Sequence, residues 1–422
     1  MVVALTDTAA AVARYADRLH RVAGEGHHVA SPLGAWLLLA LCGPASSGRA
    51  RDQLAEAVGC DLDQATAVAD ALLCAPHPAV AAAAGVWRRG AVSGGPLSRW
   101  LAGLPRAVAT GELADQTALD DWARRSTGGM IREFPVELSP QVPLVLASAL
   151  ATRVSWVEPF ELVRGDALGP YSPWASQLRR VLRTPQCGGV SPRRGWAHDQ
   201  FIAATSEAGD VAVHTAWARR GLEVTSVAAQ PGVPAADVLA AAHRLASAIA
   251  TGGQVARRSL FDLPLGSARL WLIDERPATV MAADGRKERC TAVLPAWSAA
   301  SVHDLTRHPS LGFGAAAATL AGLMNLDPSW HQAQQAAVAR YSRTGFEAAA
   351  LTGMAAAGGP SRNRPGRLRT AELRFGHPFA VVAVTADHGH RPWRDAARHS
   401  PWQGLPVFSA WITQPKDADN LA

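Results

Sequence analysis

Apolar residues recur at helical spacing through the first third of this 422-residue chain and give way to strand-like runs after it, without regular βαβ alternation. That order favours a mixed α+β fold over a doubly wound sheet. Residues 8–23 place Val12, Tyr15, Leu19 and Val22 on one helical face. Ser31 and Pro32 then precede an apolar run to Leu41, which predicts a buried helix with Ser31 as N-cap and Pro32 in the first turn. Gly43-Pro44 ends that helix, and residues 51–58 form a short amphipathic one stopped by Gly59. Residues 142–156 are a long apolar run holding small residues, suited to a strand covered on both faces. Further strands are expected at 210–214, 268–273, 290–294, 338–341, 379–385 and 407–412.

No composition break, long linker or internal repeat divides the chain, so a single domain over residues 1–422 is expected. Residues 352–366, rich in Gly, Ala, Pro and Arg, read as a loop, and so do residues 386–404 between two strand candidates. The N-terminus has helical periodicity and no basic leader, so it reads as a structural helix and not a signal peptide, which points to the cytoplasm. The longest apolar run, residues 35–42, is far short of the roughly 20 residues a membrane helix needs.

Only Lys287 and Lys416 among the 41 Lys and Arg residues are lysines, so arginine is simply the default surface cation of this chain. A polyanion surface through Arg179, Arg180, Arg183, Arg193 and Arg194, or through the loop arginines, is the weaker reading and predicts steep salt dependence. Cys42, Cys60, Cys74, Cys187 and Cys290 are scattered without CxxC spacing, which argues against a disulfide framework and a zinc site. His388, His390 and His399 are the densest histidine group, and they read as ordinary loop histidines more than as metal ligands. No GxSxG elbow, HExxH pair, P-loop or GxGxxG fingerprint after a strand is present. The chain is therefore read as a non-enzyme with no cofactor and no metal.

Ser31-Pro32-Leu33, Trp156-Val157-Glu158-Pro159-Phe160, Gly345-Phe346-Glu347-Ala348-Ala349-Ala350 and Phe375-Gly376-His377-Pro378-Phe379 are ordered blocks across nearly the whole chain, and together they resemble the serpin family. Ser31-Pro32-Leu33 and Arg51-Asp52-Gln53-Leu54 look like its opening helices, and Trp122 with Thr127, Gly129 and Ile131 is similar to its W-x-x-x-x-T-x-G-x-I pattern. Trp156-Val157-Glu158-Pro159-Phe160, Leu294-Pro295-Ala296-Trp297 with Asp304-Leu305, Phe375-Gly376-His377-Pro378-Phe379 and Phe408-Ser409-Ala410-Trp411-Ile412 match later segments in order. Gly345, Phe346, Glu347, Ala348, Ala349, Ala350 and Thr352 look like the hinge of a reactive loop spanning about residues 345–372. The resemblance implies a serpin fold with about three β-sheets, a helix-rich N-terminal part and an exposed reactive loop. It also implies a monomeric inhibitor of a serine protease, acting as a suicide substrate whose cleaved loop inserts into the central sheet as a new strand. Ala348, Ala350 and Thr352 alternate at strand period and are small enough to be buried there. The alternative is a serpin-fold binding protein whose loop is cut without trapping the protease.

Several positions depart from the family pattern. Phe346 stands where a small residue is usual, and burying it would cost about 1–3 kcal/mol. Arg343 replaces a glutamate. Gly34, Ser148 and Gln335 stand where serine, asparagine and histidine form a buried polar network in relatives, so that network is expected to be lost. Counting from Arg343 puts the reactive bond at Gly359, before Pro360; counting back from Phe375 puts it at Arg367, before Leu368. Arg362, Arg364 and Arg369 lie in the same stretch, and arginine would suit a trypsin-like enzyme.

Overall fold

The computed structural model describes residues 2–90, 94–139, 141–152, 154–185, 197–326, 331–345, 364–386 and 400–421. They form two compact units, each drawn from three stretches of chain: residues 1–153, 299–338 and 382–410 in the first, and 154–298, 339–381 and 411–422 in the second. No single cut in the sequence separates them.

The first unit opens with α1 (Val2–Ala23), which buries Val12, Tyr15 and Leu19 completely. β1 (His28–Ala30) leads into α2 (Pro32–Cys42), where the Ser31 hydroxyl accepts from Gly34 N and Pro32 fills the first turn. Being apolar on nearly every face, α2 is buried along almost its whole length. α3 (Gly48–Val58) stops at Gly59 in the left-handed region, and α4 (Leu62–Cys74) starts under the Asp61 carboxylate, which accepts from Asp63 N and Gln64 N. Then come β2 (Val80–Arg88), α5 (Gly95–Gly103), β3 (Val108–Glu112), α6 (Gln116–Ser126) and β4 (Leu144–Thr152). β2 lies between β3, which is parallel to it, and β4, which is antiparallel. Leu119 of α6 packs with Leu113, Val142 and Val145.

The second unit begins with β5 (Glu161–Arg164) and β6 (Arg180–Arg183). An antiparallel meander of β7 (His198–Thr205), β8 (Gly209–Ala218) and β9 (Leu222–Ala228) follows, then α7 (Ala235–Thr251). After α7 come β10 (Gly266–Ser267), β11 (Trp271–Val280) and β12 (Arg286–Leu294). β13 (Trp297–Asp304) returns the chain to the first unit, which adds α8 (Phe313–Leu323) and most of β14 (Gln334–Tyr341). β15 (Arg364–Arg374) belongs to the second unit and completes a six-stranded sheet ordered β10-β11-β15-β12-β6-β5. β16 (Phe379–Thr385) and β17 (Pro406–Ile412) are buried at every residue.

The strands expected at 210–214 and 290–294 extend further than those spans, and the one expected at 268–273 starts later, at Trp271, and runs on to Val280. β8, β11 and β12 run on into polar residues because ladder bonds are made by the backbone, whatever side chains it carries. The described strands make four hydrogen-bonded sheets where about three were expected. The extra one arises because β13-β14 and β3-β2-β4 are not bonded to each other. No helix among the described residues is long and apolar enough to cross a membrane.

Candidate functional site

Within the first unit, β4 pairs only with β2 and β14 only with β13 among the described residues, so each strand presents one unpaired edge. Such edges are templates for another strand. Residues 144–150 of β4 and 334–336 of β14 line a cavity of about 430 Å³, whose other walls include Trp122 of α6, Phe134, and Phe313 and Leu320 of α8.

The polar network expected to be lost is rewired instead, with backbone groups replacing side-chain partners. Ser148 on β4 donates its hydroxyl to Gly34 O at 2.7 Å. Gln335 on β14 uses both ends of its amide on Ser31, accepting from Ser31 N at 2.9 Å and donating to Ser31 O at 2.8 Å. The Ser31 hydroxyl donates to Val407 O at 2.9 Å. The first turn of α2 therefore links β4 to β14, and every contact in the link includes a backbone atom.

In the second unit, the chain leaving β14 is gripped by the Trp156–Phe160 segment. Trp156 N donates to Thr344 O at 3.1 Å, Phe160 N to Arg343 O at 3.0 Å, and the Trp156 indole to Ser342 O at 2.9 Å. Arg343, in place of a glutamate, donates from Nε to Phe160 O at 3.1 Å. Gly345 bridges to Ser155 with φ +118°, and a Cβ there would collide with Val154 O and lie 2.8 Å from Ser155 Cα. Only glycine fits that approach. Aromatic rings fill the space behind the segment: Trp156 and Tyr341 lie 4.8 Å apart, and Trp297 stacks on Tyr341 at 5.8 Å. Burial raises the Tyr341 phenol well above its usual pKa. His198 donates from Nε2 to Glu158 O at 2.9 Å, and its Nδ1 lies 3.2 Å from His214 Nε2.

Residues 364–372, expected in the reactive loop, are strand. Arg367 pairs with Pro277 and Arg286, and Leu368 with Arg276 and Lys287, so the proposed reactive bond between them sits inside a sheet with a partner strand on each side. The lock is chemical as well as topological. Arg369 donates to Glu275 at 2.7 Å, to Leu260 O at 2.7 Å and to Leu263 O at 2.9 Å, and lies over the Phe261 ring. Arg367 adds a 3.2 Å bond to Glu275. Arg369 first, with help from Arg367, holds the Glu275 carboxyl below the usual range. Gly366 is required where its backbone meets the β11–β12 turn, because a Cβ would collide with Gly285 O. Arg364, the other candidate on this side, opens β15 and donates to Ala283 O at 3.1 Å.

Phe346, Glu347, Ala348, Ala349, Ala350, Thr352 and Gly359 lie outside the described residues, as do Arg193, Arg194, Cys187 and the three histidines of the second loop. Of the remaining arginines suggested for a polyanion, Arg183 is ion-paired with Glu372 at 2.9 Å, whereas Arg180 is exposed at the start of β6. The described cysteines form no disulfide with one another, and burial pushes the Cys42 and Cys290 thiols up to about 12. No group of three or more metal-ligating side chains occurs among the described residues. Sequence reasoning missed His198 and His214 because nothing in their spacing distinguishes two strand histidines from core residues.

No protein-family model and no curated protein matches the chain. Solved structures do. Human thyroxine-binding globulin complexed with thyroxine has a TM-score of 0.61 at 12% identity, covering 98% of this chain and 100% of that one. The thermophilic serpin tengpin in its native state gives 0.60 at 12% identity over 97% and 94%. Human glycosylated kallistatin gives 0.59 at 14% identity over 98% and 97%. The chain has the serpin fold, over nearly its full length.

Proposed function

We propose that this protein inhibits a serine protease as a suicide substrate. The protease serine attacks the carbonyl of the reactive residue, an ester forms, the peptide bond breaks, and the new amino terminus leaves. The freed segment then adds as a strand between β4 and β14 before water can hydrolyse the ester. The unpaired edges of β4 and β14 carry this reading. A protease binds its substrate as an extended segment, and β15 offers no free edge for that, so the reactive bond is assigned upstream of it, in residues 346–363. Arg362–Asn363 suits a trypsin-like enzyme, and Gly359–Pro360 is the alternative, with a proline poorly placed after the bond.

A serpin-fold binding protein, cut without trapping, is the second reading. Phe346 favours it by slowing the start of insertion, and thyroxine-binding globulin is a structural neighbour that carries a small ligand. Incubation with trypsin separates the two. The inhibitory reading predicts a covalent complex that survives denaturing electrophoresis. Complete cleavage without a complex, and with no gain in thermal stability, would leave only the binding protein.

A further inference from the structure

The cavity within the first unit has a volume of about 430 Å³, which is typical of small-molecule pockets. Trp122 of α6, Phe134, Leu146 of β4, and Phe313, Leu320 and Met324 around α8 give it an apolar, partly aromatic wall. No Asp, Glu, Lys or Arg is among its described lining residues, and the amides of Gln141, Gln332 and Gln334 that also line it are neutral. A void with such walls forfeits dispersion contacts, and an apolar occupant restores them.

The polar groups of the lining differ in what they still need. Ser148 and Gln335 are spent on the backbone of Gly34 and Ser31, and the Ser31 hydroxyl on Val407 O. Thr127 Oγ1 donates to Ala123 O at 2.8 Å and accepts from Ile131 N at 3.0 Å. His331, three residues before β14, is the exception: its Nε2 is buried and has no hydrogen-bond partner among the described residues. Leaving such an atom unpaired costs free energy, which a ligand group in contact with it recovers. An imidazole nitrogen donates or accepts according to tautomer, so a carbonyl, a hydroxyl or an amine N–H would serve. A charged group would lie here without a counter-ion, at a high desolvation cost.

We propose that this cavity is a binding site for a neutral, largely apolar small molecule that carries one hydrogen-bonding group for His331 Nε2. Residues 144–150 of β4 and 334–336 of β14 line the cavity and also flank the space assigned to the inserted strand. Occupant and strand therefore exclude each other, and by reciprocity a ligand that opposes insertion is expelled by it. The site stands on the walls of the cavity; the exclusion rests on the inhibitory reading.

N-phenyl-1-naphthylamine, a neutral fluorescent probe with one N–H, tests the site without a protease. One probe should bind per chain, and 1-anilinonaphthalene-8-sulfonate, with the same rings and a negative charge, should bind at least about tenfold more weakly. The bound neutral probe should slow hydrogen exchange at residues 144–150 and 334–336 more than at residues 12–19 of α1. Ala317→Phe, which fills the cavity from α8, should weaken the probe by at least about tenfold, because it takes up the ligand's volume. If that variant does not fold, the exchange pattern of the unaltered protein decides. No saturable binding, equal affinity for the sulfonated probe, or binding that leaves exchange at both strands unchanged would overturn the site. Where trypsin is trapped, saturating probe should lower the yield of complex, and an unchanged yield would overturn the exclusion. A protein that binds the probe there and never traps trypsin would lose the inhibitory reading alone.

Discussion

Upstream of residues 346–363, the chain is held by a few bonds to the Trp156–Phe160 segment, and β14 before it has one edge unpaired among the described residues. Downstream, β15 is paired with β11 from Arg364 to Leu373 and with β12 from Arg367 to Arg374, and Arg369 is tied down by three acceptors. Among the described residues one flank keeps a free edge and the other has none. A loop meant to insert after cleavage needs that asymmetry, because the upstream piece must travel while the downstream piece remains anchored. Neither flank owes its behaviour to composition. The difference lies in how many sides of each strand are already bonded.

Breaking the upstream flank should have the largest effect. Gly345→Val puts a side chain against Val154 O at a φ of +118°, which costs about 3 kcal/mol or more and lowers the urea midpoint accordingly. An unchanged midpoint would mean that the Gly345–Ser155 bridge does not form in solution. Arg369→Ala should make the downstream flank resemble the upstream one. It strands two carbonyls for about 1–3 kcal/mol and leaves Glu275 only Arg367, and it should open the Arg367–Leu368 bond to trypsin, which limited proteolysis with mass mapping would reveal. Gln335→Ala is the mildest change, removing two bonds to Ser31 for about 1–2 kcal/mol, with faster exchange expected at residues 334–338 and at the start of α2.

Much of the fold was legible in the sequence. Ser31-Pro32 marked the start of α2 by capping chemistry, and the apolar run after Val142 marked β4, because both signals are local. Gly345 was also visible, as part of a motif, although the reason for it, contact with Val154 and Ser155 far away in the sequence, was not. The downstream flank was misread because residues 364–372 carry Gly, Pro and several arginines, a composition that suits a loop. Pairing on both sides and the carboxylate of Glu275 override it, and neither can be seen one residue at a time. The rewired link through Gln335 was hidden for a similar reason. Its partners are backbone atoms, which leave no trace in the choice of residue.

In the proposed mechanism, the segment freed by cleavage fills the space between β4 and β14. Hydrogen exchange at residues 144–150 and 334–338, before and after a protease has cut within residues 346–363, reads that event at the two edges themselves. Strong new protection is expected at both edges in the cleaved protein. Exchange unchanged at both, in protein shown by mass to be cut at that bond, would contradict it.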